Sequence, residues 1–146
     1  MKNILFTIST LLLLAFASCD KCDPSNDSGG AVIKNAIVRV IGGEGGANFI
    51  TNDSQYDAPI EMSLDGGETY TNVDFTEYSV FSLPTTASCS SGYHRSVLID
   101  EVNATVSYTV DITECEFCEG TTSIMNWVLA TAVPENYTPI FDVNKN

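Results

Sequence analysis

Basic side chains are scarce in this chain: Lys and Arg number 6 against 19 Asp and Glu, a net charge of −13. Such a surface repels phosphate backbones and anionic headgroups, which argues against nucleic-acid partners and against purely electrostatic docking to a membrane. Histidine is scarcer still, with His94 alone. A hydrolytic triad would have to join His94 to Ser90 or Ser91 and to an acid that no motif supplies, and Ser-Gly turn chemistry explains those serines more simply. The sequence has no Gly-x-Ser-x-Gly elbow, no phosphate loop and no His-Glu-x-x-His segment, and its acidic residues lack calcium-loop spacing. Long apolar runs are missing too. The run from Ile4 to Phe16 is interrupted by Thr7, Ser9 and Thr10, short of the roughly 20 residues of a membrane-spanning helix.

That run carries an export pattern instead: Lys2 precedes it and small residues close it at Ala17-Ser18-Cys19. The ending resembles a bacterial lipoprotein signal. The resemblance implies removal of residues 1–18, attachment of diacylglycerol to Cys19, and acylation of the new N-terminus. An ordinary secretory signal cut after Ala17 or Ser18 would leave Cys19 a plain thiol. Each buried methylene contributes about 0.8 kcal/mol, so two or three acyl chains hold a protein at a membrane where one barely does. Cleavage takes Lys2 away, leaving 5 basic residues against 19 acidic ones, or −14. The segment 19–30 is polar, acidic and rich in turn formers, and reads as a flexible tether. Asp20 and Asp23 resemble a tag for display on the outer face of an outer membrane, although acidic residues beside the cysteine also resemble inner-membrane retention. Residues 31–146 fit one domain with its own core.

Beyond the tether the pattern has period two. Ala104, Val106, Tyr108, Val110 and Ile112 alternate with polar residues, which predicts a strand with one buried face. Ala58, Ile60, Met62 and Leu64 alternate likewise, and 31–41, 69–75, 78–83 and 96–102 are further β-rich runs. Turn clusters at 42–46, 52–54, 65–67 and 90–92 separate them at sandwich-like spacing. The expectation is an all-β, antiparallel β-sandwich of immunoglobulin-like kind. Residues 123–133 suit either a helix ended by Pro134 or, preferred for their β-branched and aromatic content, a last strand. Trp127 within them reads as a core plug between the sheets.

The segment Ser63-Leu64-Asp65-Gly66-Gly67-Glu68-Thr69-Tyr70 resembles the Asp-box, or BNR repeat, with Tyr70 in place of its tryptophan. In sialidases the box recurs across propeller blades; a single copy implies a hairpin built by Ser63, Asp65, Gly67, Thr69 and Tyr70, without glycoside cleavage. Similar hairpins in repeat domains of surface adhesins give a fold-level pointer to adhesion.

With Cys19 lipidated, Cys22, Cys89, Cys115 and Cys118 remain, and exported thiols usually form disulfides. The expected bridge joins Cys89 to Cys115 or Cys118. Cys115-x-x-Cys118 does not suit redox catalysis, because Glu114, Glu116 and Glu119 disfavour a thiolate. The competing reading is a Cys3His metal site of Cys89, His94, Cys115 and Cys118, a tetrahedral set that zinc accepts. The preferred reading requires neither metal nor cofactor. It is a lipid-anchored envelope module that binds a surface protein or glycan without catalysis, through turns around 42–48, 52–57 and 88–94 in which Tyr56 and Tyr93 offer adaptable contacts.

Overall fold

The computed structural model describes residues 26–43, 45–115 and 120–146. It contains ten strands: β1 (Asn26–Gly30), β2 (Ile37–Val40), β3 (Asn48–Ile50), β4 (Ile60–Ser63), β5 (Thr71–Asn72), β6 (Tyr78–Ser88), β7 (Ser91–Asp100), β8 (Thr105–Glu114), β9 (Thr121–Thr131) and β10 (Thr138–Lys145). They form sheets of order β1-β7-β8-β10, β3-β6-β9 and β2-β4-β5. The chain is an all-β sandwich. Among the described residues no helix is long and apolar enough to cross a membrane. The signal segment, Cys19, Cys22 and Cys118 lie outside the described residues.

The frame is one long hairpin folded onto itself. β6 pairs with β9 and β7 with β8, both antiparallel, so the arm β6–β7 faces the arm β8–β9 along nearly its whole length. At the corner Ser88 faces Thr121 and Ser91 faces Glu114, and the Cys89 and Cys115 amides donate to the Gly120 and Ser90 carbonyls. Inward positions keep one parity through this corner. Phe81, Leu83 and Ala87 precede it and Tyr93 and Val97 follow it on one arm; Val106, Tyr108, Val110 and Ile112 face Val128 and Ala130 on the other. Folding the hairpin therefore closes its apolar face upon itself, and each large side chain so buried contributes roughly 1.5–3 kcal/mol. Phe81 sits at the centre, stacked on Phe49 and tilted against Tyr108.

The outer face of β6 and β9 is covered as well. Val80, Leu129 and Ile50 meet Ile60, Met62 and Val73 in a second core beneath the small sheet. Buried serines on both faces of β6 are satisfied: on the inner face Ser79 Oγ accepts from the Val133 amide, and on the outer face Ser82 Oγ accepts from Asn48 and donates to the Gly46 carbonyl.

Several boundaries differ from the sequence expectation. Residues 123–133 fall largely in β9, a strand as preferred, but β10 follows it; β7 begins at Ser91, so Ser91 and Gly92 are strand and not turn. Asn26–Gly30 form β1 beside β7, so this part of the expected tether is built into the sandwich by ladder bonds that composition does not reveal. Leu64 is 50% exposed at a turn, although alternation placed it inward. The sheets are not wholly antiparallel: β1 runs parallel to β7, and β10 to β8. β10 reaches β8 by crossing from the sheet of β9, and such a crossover permits parallel pairing where a tight hairpin cannot.

The loop between the paired strands β4 and β5 is closed by Asp65. Its carboxylate accepts from the Ser63 and Thr69 hydroxyls and from the Glu68 and Thr69 amides, while Ser63 Oγ accepts from the Gly67 amide at 2.8 Å. Gly66 and Gly67 take positive φ, as the turn requires. The bond from Ser63, followed by those from Thr69, holds the Asp65 carboxyl well below the usual carboxylate range. Its stabilising contribution is thus complete above the ordinary carboxylate pKa of about 4 and shrinks as pH falls further. Asp65→Ala is expected to lower the melting temperature at pH 7, with the deficit narrowing progressively below about pH 4 in thermal scans. A deficit that stayed constant to pH 2 would assign Asp65 another role.

Candidate ligand-binding cleft

β1 follows β7 as far as Gly30, whose φ of +64 turns the chain away; a Cβ there would stand 2.1 Å from the Val97 carbonyl oxygen. The chain then crosses to the other layer. The Ala31 amide donates to Val97, Val32 bridges Ala130, and the Ile33 amide donates to Leu129. An open cleft of about 510 Å³ lies along this crossing, bounded by β1, the segment 32–36, and residues of β7 and β9. Asn26, Ser28, Lys34, Asn35, Arg95 and Trp127 supply its polar and aromatic wall.

Arg95 is a cation at an inward position of β7, flanked along the strand by buried Tyr93 and Val97. The site tolerates it because Asn126, 1% exposed, accepts from Arg95 Nε at 2.9 Å. The same amide donates to Thr85 Oγ1 at 2.8 Å and to the Leu83 carbonyl at 3.2 Å, so all its polar atoms are bonded. Tyr108 Oη donates to the Asn126 carbonyl at 2.9 Å, fastening β8 to β9 across the layers. Arg95 also lies 5.3 Å from the Tyr93 ring centroid. The network fixes one edge of the guanidinium and leaves its Nη groups without a hydrogen bond among the described residues. Trp127 is half-buried, edge-on to Tyr56 at 5.7 Å and packed against the second core, and it also lines the cleft.

The residues singled out from the sequence are dispersed. Cys89 and Cys115 are each disulfide-bonded. His94 is bonded through Nδ1 to Asp27 Oδ1, clasping β1 to β7. It occupies the face of β7 opposite to Ser91, whose hydroxyl bonds Ser88, so the strand separates the two members a triad would join. Among the described residues no three His, Cys, Asp or Glu side chains converge on a metal-sized site. Ser63, Asp65, Gly67, Thr69 and Tyr70 are gathered in their turn, with Arg39 3.9 Å from the Tyr70 ring centroid and paired with Glu61.

Of the expected recognition loops, 88–94 is mostly strand, and Tyr93 is 7% exposed and committed to the core. The loop at 52–57 borders a second open cavity of about 400 Å³ with Tyr56 and Phe75 on its wall. Arg95, Asn126 and Lys34 were missed by motif reading. The available signal was a cation and an amide at positions whose strand neighbours point inward, hidden by starting β7 at Ser96.

No family profile matches the chain, and no match is found among curated proteins or solved structures.

Burial pushes the Tyr108 phenol up, with Arg95 opposing in part. The native state therefore prefers the neutral phenol, whereas the unfolded chain releases this proton near pH 10. Stability from Tyr108 is intact below about pH 10 and is lost as pH rises beyond it. In an alkaline titration followed at 295 nm, phenolate absorbance equal to one of the 6 tyrosines is expected only with unfolding. Tyr108→Phe should abolish that step and cost about 1 kcal/mol through the lost hydrogen bond.

Proposed function

We propose that the chain is an exported, lipid-anchored module of the cell envelope that binds a partner at the surface without turning over a substrate. The observation that carries this reading is the cleft, where the Asn126 amide holds a half-buried arginine in place with hydrogen-bonding groups to spare. A fixed donor array beside an aromatic side chain suits recognition. Anchorage follows from the Ala17-Ser18-Cys19 ending, with Cys19 as the acylated residue and the outer membrane, facing outward, as the favoured location. The partner is a surface glycan or protein, reached by a rigid domain on a short acidic leader, and nucleic acid is disfavoured by charge. Adhesion or assembly fits this arrangement.

The metal-site alternative requires reduced thiolates. Disulfide bonding of Cys89 and Cys115, together with the bond from His94 to Asp27, favours the structural reading of these residues.

Two measurements test the proposal. Wild-type protein is expected to partition into the detergent phase and to carry acyl mass on its N-terminal peptide, and Cys19→Ser should move to the aqueous phase. An unacylated wild-type peptide would remove the anchor. Non-reducing peptide mapping of exported protein is expected to recover Cys89 linked to Cys115 or Cys118, whereas free thiols with stoichiometric zinc would install the metal site instead.

A further inference from the structure

The four Lys and Arg side chains among the described residues divide into two kinds. Arg39 pairs with Glu61 and Lys145 with Glu114, while Lys34 and Arg95 make no ion pair. Both unpaired cations line the same cleft. In a chain where acids exceed bases 19 to 6, carboxylates are the commonest partner available, yet among the described residues none pairs with this half-buried guanidinium. Asp27 stands on the same wall but is bonded to His94. A half-buried cation without a counter-ion is favourable to an anion that enters.

The geometry narrows the anion. Only Nε of Arg95 is engaged, so the Nη groups present a planar fork of the kind that binds a carboxylate in two parallel bonds. Lys34, exposed on the segment 32–36, adds a second positive charge. Around them are the amides of Asn26 and Asn35, the Ser28 hydroxyl and the Trp127 ring, which complement hydroxyl groups and the apolar face of a pyranose. A net charge of −13 repels polyanions before contact, so a ligand presenting a single carboxylate is favoured over a phosphate-rich polymer.

We propose that the cleft binds the carboxylate of an acidic sugar, with Arg95 gripping it in a forked contact and Lys34 flanking it. This deepens the binding-module reading and rests on it. Asn126 is a positioning residue, holding the fork from behind.

Trp127 is the single tryptophan of the chain and serves as a built-in reporter. Full-length protein in detergent is titrated with glucuronate, its methyl ester, glucose, inorganic phosphate and an acidic dipeptide, followed by tryptophan emission and calorimetry. Glucuronate is expected to bind and to shift the emission, with the ester and glucose at least about tenfold weaker. Arg95→Lys keeps the charge but loses the fork, and should weaken glucuronate about tenfold. Lys34→Ala, at an exposed position, should weaken it several-fold with an unchanged melting temperature.

Equal affinity for glucose, or preference for phosphate or the dipeptide, overturns the acidic-sugar assignment. So does unchanged glucuronate binding in both variants. If glucuronate fails while the wild-type protein still binds intact cells, the sugar falls and the binding module stands. If neither probes nor cells are bound, both fall.

Discussion

Successive residues of a strand face opposite ways, so a hairpin that folds over must cross its corner by an even count for its apolar face to meet itself. Here one arm spans the corner with Cys89 and Ser90, an even count, and inward positions keep one parity on either side of the corner in both arms. Phe81, Leu83 and Ala87 therefore share a face with Tyr93 and Val97, and Val106 through Ile112 share one with Val128 and Ala130. A slip of one residue in either arm would turn one layer inside out. The two disulfide-bonded cysteines stand at this corner, where a covalent constraint opposes opening of the layers. β1 and β10 then add to the outer edges, and the sheet of β2, β4 and β5 covers the back of β6 and β9.

That closure has a polar seam. Thr85, Arg95, Asn126 and Tyr108 sit among apolar inward positions and satisfy one another through the Asn126 amide and backbone. Such a network is stabilising only when complete, since each unpaired buried group costs about 1–3 kcal/mol. It also specifies the fit of the two layers, because Tyr108 of one layer reaches the backbone of the other. The guanidinium stands at the open end of this seam: the groups that complete the seam are the ones that hold Arg95 at the cleft.

The surplus of acid is used locally. Asp65, Asp74 and Asp100 each accept hydrogen bonds from residues two to four places away, chiefly the side chains of Ser63 and Thr69, of Thr76 and of Asn103, and all three carboxyls are held below their ordinary range. These carboxylates lock turns. Asp100 closes the turn between β7 and β8, where Ala104 adopts a φ of +50 that non-glycine residues seldom take. Turn locking by carboxylates explains how a chain so rich in acid forms defined connections.

Period-two alternation determined the strand of Val106 to Ile112 and the all-β class, because a half-buried strand must alternate whatever it packs against. The turn at Asp65 was equally legible, since all its donors lie within four residues. The doubly covered segment 79–83 was harder to read, because a second layer buries both faces and alternation vanishes. The incorporation of Asn26–Gly30, the parallel edges and the burial of Tyr93 depended on ladders formed with residues far away in the chain. The cleft was decided by tertiary structure alone: Lys34, Arg95 and Trp127 come from a loop and two different strands, and no spacing in the sequence records that a crossing at Gly30 brings them to one opening.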